Sequence, residues 1–132
     1  MMEGMSIKQF SQLTGITADT LRYYEKIGLL PPVPRTESGI RSYDANSLAW
    51  VQLIQQLKAS GLMLEEIQEY IRLARAGSAT LEKRKSLLFH SRQTLQQKLL
   101  HMQGLLSKAN DLLANYEMVL VPQTNQLVQR AG

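Results

Sequence analysis

Side chains able to make or break bonds are few in this sequence and poorly placed for the work. None of the 132 residues is cysteine, which excludes disulfides, thiolate metal sites, iron–sulfur ligation and thiol-based redox sensing. His90 and His101 are the only histidines. On one helix they share a face but lie about 16 Å apart along the axis, too far to hold one ion. Glu65, Glu66 and Glu69 form an acidic helix start with no histidine or metal partner near them in sequence. No serine and histidine are set as nucleophile and base. No enzymatic activity, metal or cofactor is expected. What remains is a set of arginines, and their position has to decide what they meet. Residues 1–76 carry eight basic and eight acidic side chains, and residues 77–132 carry seven and three. The net charge of +4 is therefore not concentrated in the first part, and bulk charge does not identify an anionic partner.

The elements that must position these arginines can be read from caps and breakers. Ser6 and Gln9 form a capping box ahead of an apolar face of Ile7, Phe10 and Leu13, and Thr14-Gly15 ends that helix. Thr17 caps a second helix, with Asp19 in the first turn where the helix dipole favours a carboxylate, running to Lys26 and ending at Gly28. Two short helices around a glycine turn make a helix-turn-helix pattern. Three prolines among residues 31–34 forbid helix, and Ser38-Gly39 is a turn signal, so residues 31–43 predict a small hairpin, or wing. Asp44 caps a third helix carrying Leu48, Val51, Ile54 and Leu57, ended by Ser60-Gly61. A fourth runs from about Leu64 to Arg75 with Ile67, Tyr70, Ile71 and Ala74 on one side, behind Met63, a poor cap. Ala76-Gly77-Ser78 reads as a linker.

From about Thr80 to Leu120 there is no proline, and the only glycine is Gly104. Leu81, Leu88, Leu95, Met102, Ala109 and Tyr116 recur every seven residues, and four residues after each stand Lys85, Arg92, Leu99, Leu106, Leu113 and Leu120. This heptad pattern predicts a coiled coil. Lys85 and Arg92 would weaken a seam, which fits one that begins in earnest after Arg92, with the earlier turns packed on the head. A helix of roughly 40 residues spans about 60 Å, far more than a small head can cover. Its apolar stripe needs a second long helix, and the chain has only one, so a homodimer is expected through Leu95, Leu99, Met102, Leu106, Ala109, Leu113 and Tyr116. Pro122 is expected to close the helix and leave a polar tail. No apolar run reaches the roughly 20 residues of a membrane span, and Met1-Met2-Glu3-Gly4 starts nothing like a signal peptide, so no membrane association and a cytoplasmic location are expected.

Thr20-Leu21-Arg22-Tyr23-Tyr24-Glu25-Lys26-Ile27-Gly28-Leu29-Leu30 and Arg35-Thr36-Glu37-Ser38-Gly39-Ile40-Arg41-Ser42-Tyr43 together closely resemble the MerR family of transcription regulators, over residues 5 to about 75. The resemblance implies a mainly α protein: a winged helix-turn-helix head at 1–76, a coiled-coil dimerisation helix at 77–121 and a polar tail at 122–132. It implies that the second helix enters the major groove of double-stranded promoter DNA while the wing straddles the neighbouring backbone. Arg22 then holds phosphate, for which the planar guanidinium fork is suited. Thr17 and Ala18 approach base edges, Thr17 also serving as a cap. Tyr23 touches DNA and Tyr24 mostly packs. Arg35, Arg41 and Tyr43 match backbone-gripping positions of the wing, and Gly39 supplies a turn conformation that other residues reach only with strain. Lys58 is either a further phosphate contact or a solvated lysine. Ile40 departs from the tyrosine that the family often has at the wing tip.

The family's activators distort promoters whose polymerase elements stand too far apart, so RNA polymerase on the same promoter is an implied partner. Relatives that sense metals use cysteines at the end of the dimer helix, and an aldehyde-responsive subgroup uses a cysteine where this chain has Gln56. Neither chemistry is available here. A non-covalent small-molecule effector, or none, is left. The competing expectations are a constitutive repressor or architectural DNA-binder, and a coiled-coil adaptor whose head binds protein.

Overall fold

A computed structural model describes residues 4–131; Met1–Glu3, within the segment where no signal peptide was read, and Gly132 lie outside it. The order is α1 (Ile7–Thr14), α2 (Ala18–Lys26), α3 (Ala45–Ala59), α4 (Leu64–Arg75), a 3-10 turn (Ser78–Thr80), α5 (Leu81–Ala114), a π turn (Tyr116–Leu120) and α6 (Val121–Ala131). The described residues form no strand; extended chain pairs only at Met5–Tyr43 and Arg35–Arg41, both antiparallel. The chain divides into two compact units, the first reaching Ser91 and the second beginning at Arg92.

The helix starts in the first unit follow the caps. Ser6 and Gln9 close their box reciprocally, at 3.2 and 3.0 Å. Thr17 Oγ1 accepts from the Thr20 amide at 3.2 Å, and Asp44 Oδ1 from the Ser47 amide at 2.9 Å. Met63 offers no side-chain cap to α4; instead Glu66 reaches back to accept the Met63 amide at 2.9 Å. Gly15 takes the left-handed conformation, φ 75°, that ends α1, which a residue with a Cβ adopts only with strain.

One apolar core joins these elements. Phe10, Leu21, Leu29, Leu30, Tyr43, Val51, Ile54, Ile67 and Ile71 are fully buried. Leu13, expected on the same face as Phe10, stays half exposed. The first turns of α5 belong to this unit. Leu87 packs against the core and Ser91 is buried. Thr80 Oγ1 donates to the Leu73 carbonyl at 2.6 Å and accepts from Arg84 Nε at 3.1 Å, while the Arg84 guanidinium lies 5.7 Å from the centre of the Tyr70 ring. The compact unit thus extends past the linker read at residues 76–78 and takes in the segment around Lys85.

In the second unit the expectation for the C-terminus needs correction. Pro122, expected to close the helix, does not, for residues 121–131 are helical. Pro122 stands in the first turn of α6, where its missing N–H has no intrahelical acceptor to lose. The interruption comes earlier, at Asn115 and the π turn, where the Leu120 amide reaches the Asn115 carbonyl at 3.3 Å. The expected seam residues Leu95, Leu99, Met102, Leu106, Leu113 and Tyr116 are all exposed in the single chain, and so is Ala109.

Tyr43 requires a second correction. Expected to grip DNA, it is instead fully buried, its ring stacked on Phe10 at 4.5 Å. Its hydroxyl has no hydrogen-bond partner among the described residues. Burial pushes the phenol pKa up, against the nearby charge of Arg41. Tyr43→Phe keeps the stack and removes an unsatisfied polar atom, so urea denaturation should show stability unchanged or raised by up to about 1 kcal/mol. Tyr43→Ala should cost about 3–5 kcal/mol.

Candidate nucleic-acid interface

The outward face of α2 follows from helix period. Leu21 and Tyr24 face the core, which leaves Asp19, Arg22, Tyr23 and Lys26 exposed at spacings of three, four and seven. Tyr23 is 48% exposed and Tyr24 6%, the division expected for the pair. Thr17, exposed, and Ala18, half-buried, sit at the amino end of this face. Arg22 Nη1 bonds Asp19 Oδ1 at 2.9 Å, one turn back.

The wing is closed by its own backbone and by one of its arginines. The Thr36 amide donates to the Ile40 carbonyl at 2.8 Å, and the Ser42 amide to the Pro34 carbonyl at 2.7 Å. Arg35 Nη1 donates to the Gly39 carbonyl at 2.8 Å, bracing the tip. Gly39 turns with φ 86°, so the glycine at this point is a backbone requirement. Ile40 stands exposed at the tip.

Glu25 joins helix and wing. Its Oε2 accepts the Val33 amide at 2.6 Å, and its Oε1 accepts Arg41 Nε at 2.7 Å. The Glu25 side chain is 14% exposed and that of Arg41 26%, so both charges are partly withdrawn from water and must satisfy each other. Burial alone would raise the Glu25 pKa. The Val33 amide, Arg41 through its hydrogen bond and charge, and the charge of Arg35 outweigh that and hold it below the ordinary value for a glutamate. Through Glu25, the wing that carries Arg35 and Arg41 is held against α2, the helix that carries Arg22.

Lys58, at the end of α3, is exposed. With Thr20, Tyr23, Tyr24, Leu62 and Met63 it lines a cleft of about 400 Å³ along α2. The structure therefore gathers Arg22, Tyr23 and Lys58 beside one helix and Arg35, Gly39 and Arg41 in the wing held to it. It withdraws Tyr43 and most of Tyr24 into the core. Sequence reasoning left three residues out of the site. Asp19 and Lys26 could have been found from the spacing of Arg22 and Tyr23. The role of Glu25, whose partner Arg41 is sixteen residues away, has no local signal.

His90 and His101 are both exposed, and among the described residues no group of acidic and histidine side chains is arranged to hold a metal ion. No described helix is long and apolar enough to cross a membrane.

Residues 5–74 match the family model described as the MerR HTH family regulatory protein. Among characterised relatives, the HTH-type transcriptional regulator AdhR of Bacillus subtilis is 45% identical over 91 residues, covering 69% of this chain and 65% of its own length. The chain thus spans just under two thirds of that relative. Among solved structures, a MerR family transcriptional regulator from Listeria monocytogenes superposes with a TM-score of 0.69 at 38% identity, covering 96% of each chain. HiNmlR, a MerR family regulator lacking the sensor domain and solved bound to promoter DNA, superposes with a TM-score of 0.65 at 30% identity, covering 89% of this chain and 94% of its own.

The Glu25 junction has a pH signature. A carboxylate whose pKa is lower in the folded state contributes stability above its unfolded value, near 4.5, and loses it as pH falls through the folded value. Glu25→Gln should cost about 1–3 kcal/mol at neutral pH, since it leaves Arg41 partly buried without its counter-charge. Denaturation between pH 7 and pH 3 should show the difference between wild type and variant shrinking as the acid limb is reached.

Proposed function

The chain belongs to the MerR HTH family of regulatory proteins, and on that premise we propose that it is a homodimeric transcription regulator of double-stranded promoter DNA. Two heads grip a palindromic site, each placing the outward face of α2 in the major groove and the wing on the adjacent backbone. Thr17 and Ala18 approach base edges. Arg22, Arg35 and Arg41 hold phosphates, Tyr23 packs along the groove wall, and Lys58 adds a backbone contact. Gly39 lets the wing tip turn close to the duplex. The observation that carries this reading is that the wing bearing Arg35 and Arg41 is tied through Glu25 to the helix that exposes Arg22, on a head whose basic and acidic residues balance overall.

The dimer rests on a second observation. Leu95, Leu99, Met102, Leu106, Leu113 and Tyr116 leave an exposed apolar stripe at heptad spacing, which another copy of the same helix can cover. On a promoter whose polymerase elements stand too far apart, such a dimer represses in one state. In a second state it bends and untwists the duplex so that RNA polymerase engages both elements, through deformation and not new base contacts. With no cysteine, thiol-based sensing is unavailable, and the effector in this reading is a non-covalently bound small molecule. Transcription in vitro from an over-long spacer separates this from a constitutive repressor, which would only block.

Arg22→Ala and Arg41→Ala should each weaken binding to every duplex alike and lower the slope of log affinity against log salt by about 1, measured by fluorescence anisotropy across salt. Unchanged affinity and slope in both would favour the adaptor reading instead. Leu99→Glu with Leu106→Glu should give a folded monomer in analytical ultracentrifugation and lose binding to the two-half-site duplex.

A further inference from the structure

Asp19 is an unexpected residue on the face just described. It stands in the first turn of α2 and is 97% exposed. It does not cap the helix, because Thr17 accepts the free amide there and Asp19 bonds no backbone amide among the described residues. Its carboxylate bonds only Arg22, through Oδ1. On a surface meant to approach phosphates a bare carboxylate is repelled by almost everything it meets. It can only accept hydrogen bonds. In the major groove, the base edge that presents a donor suited to a lone carboxylate is the 4-amino group of cytosine.

Resting on the DNA-binding reading above, we infer that Asp19 is a specificity-determining residue that reads one cytosine in each half-site through its 4-amino group. Arg22 sets it up. The hydrogen bond to Oδ1 fixes the carboxylate on the groove-facing side of the helix and leaves Oδ2 for the base. Arg22 keeps further N–H groups for the neighbouring phosphate. The same charge lowers affinity for duplexes that place no amino group there. The head therefore obtains selectivity by penalising the wrong site, in keeping with its balanced charge.

The test is selection from a randomised duplex library with full-length wild type, Asp19→Ala and Asp19→Asn, with thermal melts as the folding control. Wild type should recover a cytosine at one position per half-site, mirrored about the centre and preferred about tenfold. Asp19→Ala should lose the preference at that position alone and bind duplex lacking the site more tightly than wild type. Asp19→Asn should move the preference there toward adenine, which an amide reads. Preferences unchanged in Asp19→Ala, or weakened equally at every position, would overturn the inference while leaving the DNA reading intact. A wild type that selects no sequence at all, with Arg22→Ala no weaker than wild type on DNA, would overturn that reading and the inference with it.

Discussion

The Glu25 carboxylate is the point on which the geometry of the head depends. It accepts one hydrogen bond from the backbone that follows α2 and one from Arg41 in the wing. Leu21 and Tyr24 seat α2 in the core, and Val33 and Tyr43 seat the two ends of the wing, but the exposed wing tip has no core of its own. One anchor on each oxygen removes the freedom this leaves. The arrangement also explains why two arginines in the wing do not simply repel. Arg41 is neutralised by Glu25, and Arg35 is spent on the Gly39 carbonyl, so each guanidinium is positioned by the protein before any anion arrives. Such preorganisation reduces the ordering cost of binding.

A second constraint operates over a longer distance. The first turns of α5 are tied to the head through Thr80, Arg84, Leu87 and Ser91, and the residues beyond carry an apolar stripe that their own chain leaves uncovered. Charged Lys85 and Arg92 stand at seam positions on either side of this change. Their placement makes sense if the early part of α5 serves the head and the later part serves a partner helix.

Much of this was legible in the sequence because it is local. Capping residues, left-handed glycines and the three prolines act within a few positions, and they placed α1 to α4 and the wing. The heptads placed α5. The errors have equally physical origins. Pro122 was read as a terminator, although a proline in the first turn of a helix is tolerated, so α6 was missed. Tyr43 was carried into the site with its neighbour Arg41, yet its ring completes a stack with Phe10 from the far end of the head, a contact that no spacing rule reveals. Glu25 was missed for the same reason. For Asp19 the local pattern signals only a dipole partner, because its bond to Arg22 depends on side-chain rotamers that spacing does not set.

The chain's lack of cysteine makes one measurement especially direct. A single cysteine introduced at the exposed wing tip, Ile40→Cys, can carry an iron chelate that cuts DNA within reach. If helix and wing grip the duplex as one unit in a symmetric dimer, cleavage should fall at two short backbone segments flanking the site, equidistant from its centre and on opposite strands. Cleavage scattered along the duplex, or none while the protein is bound, would contradict the account.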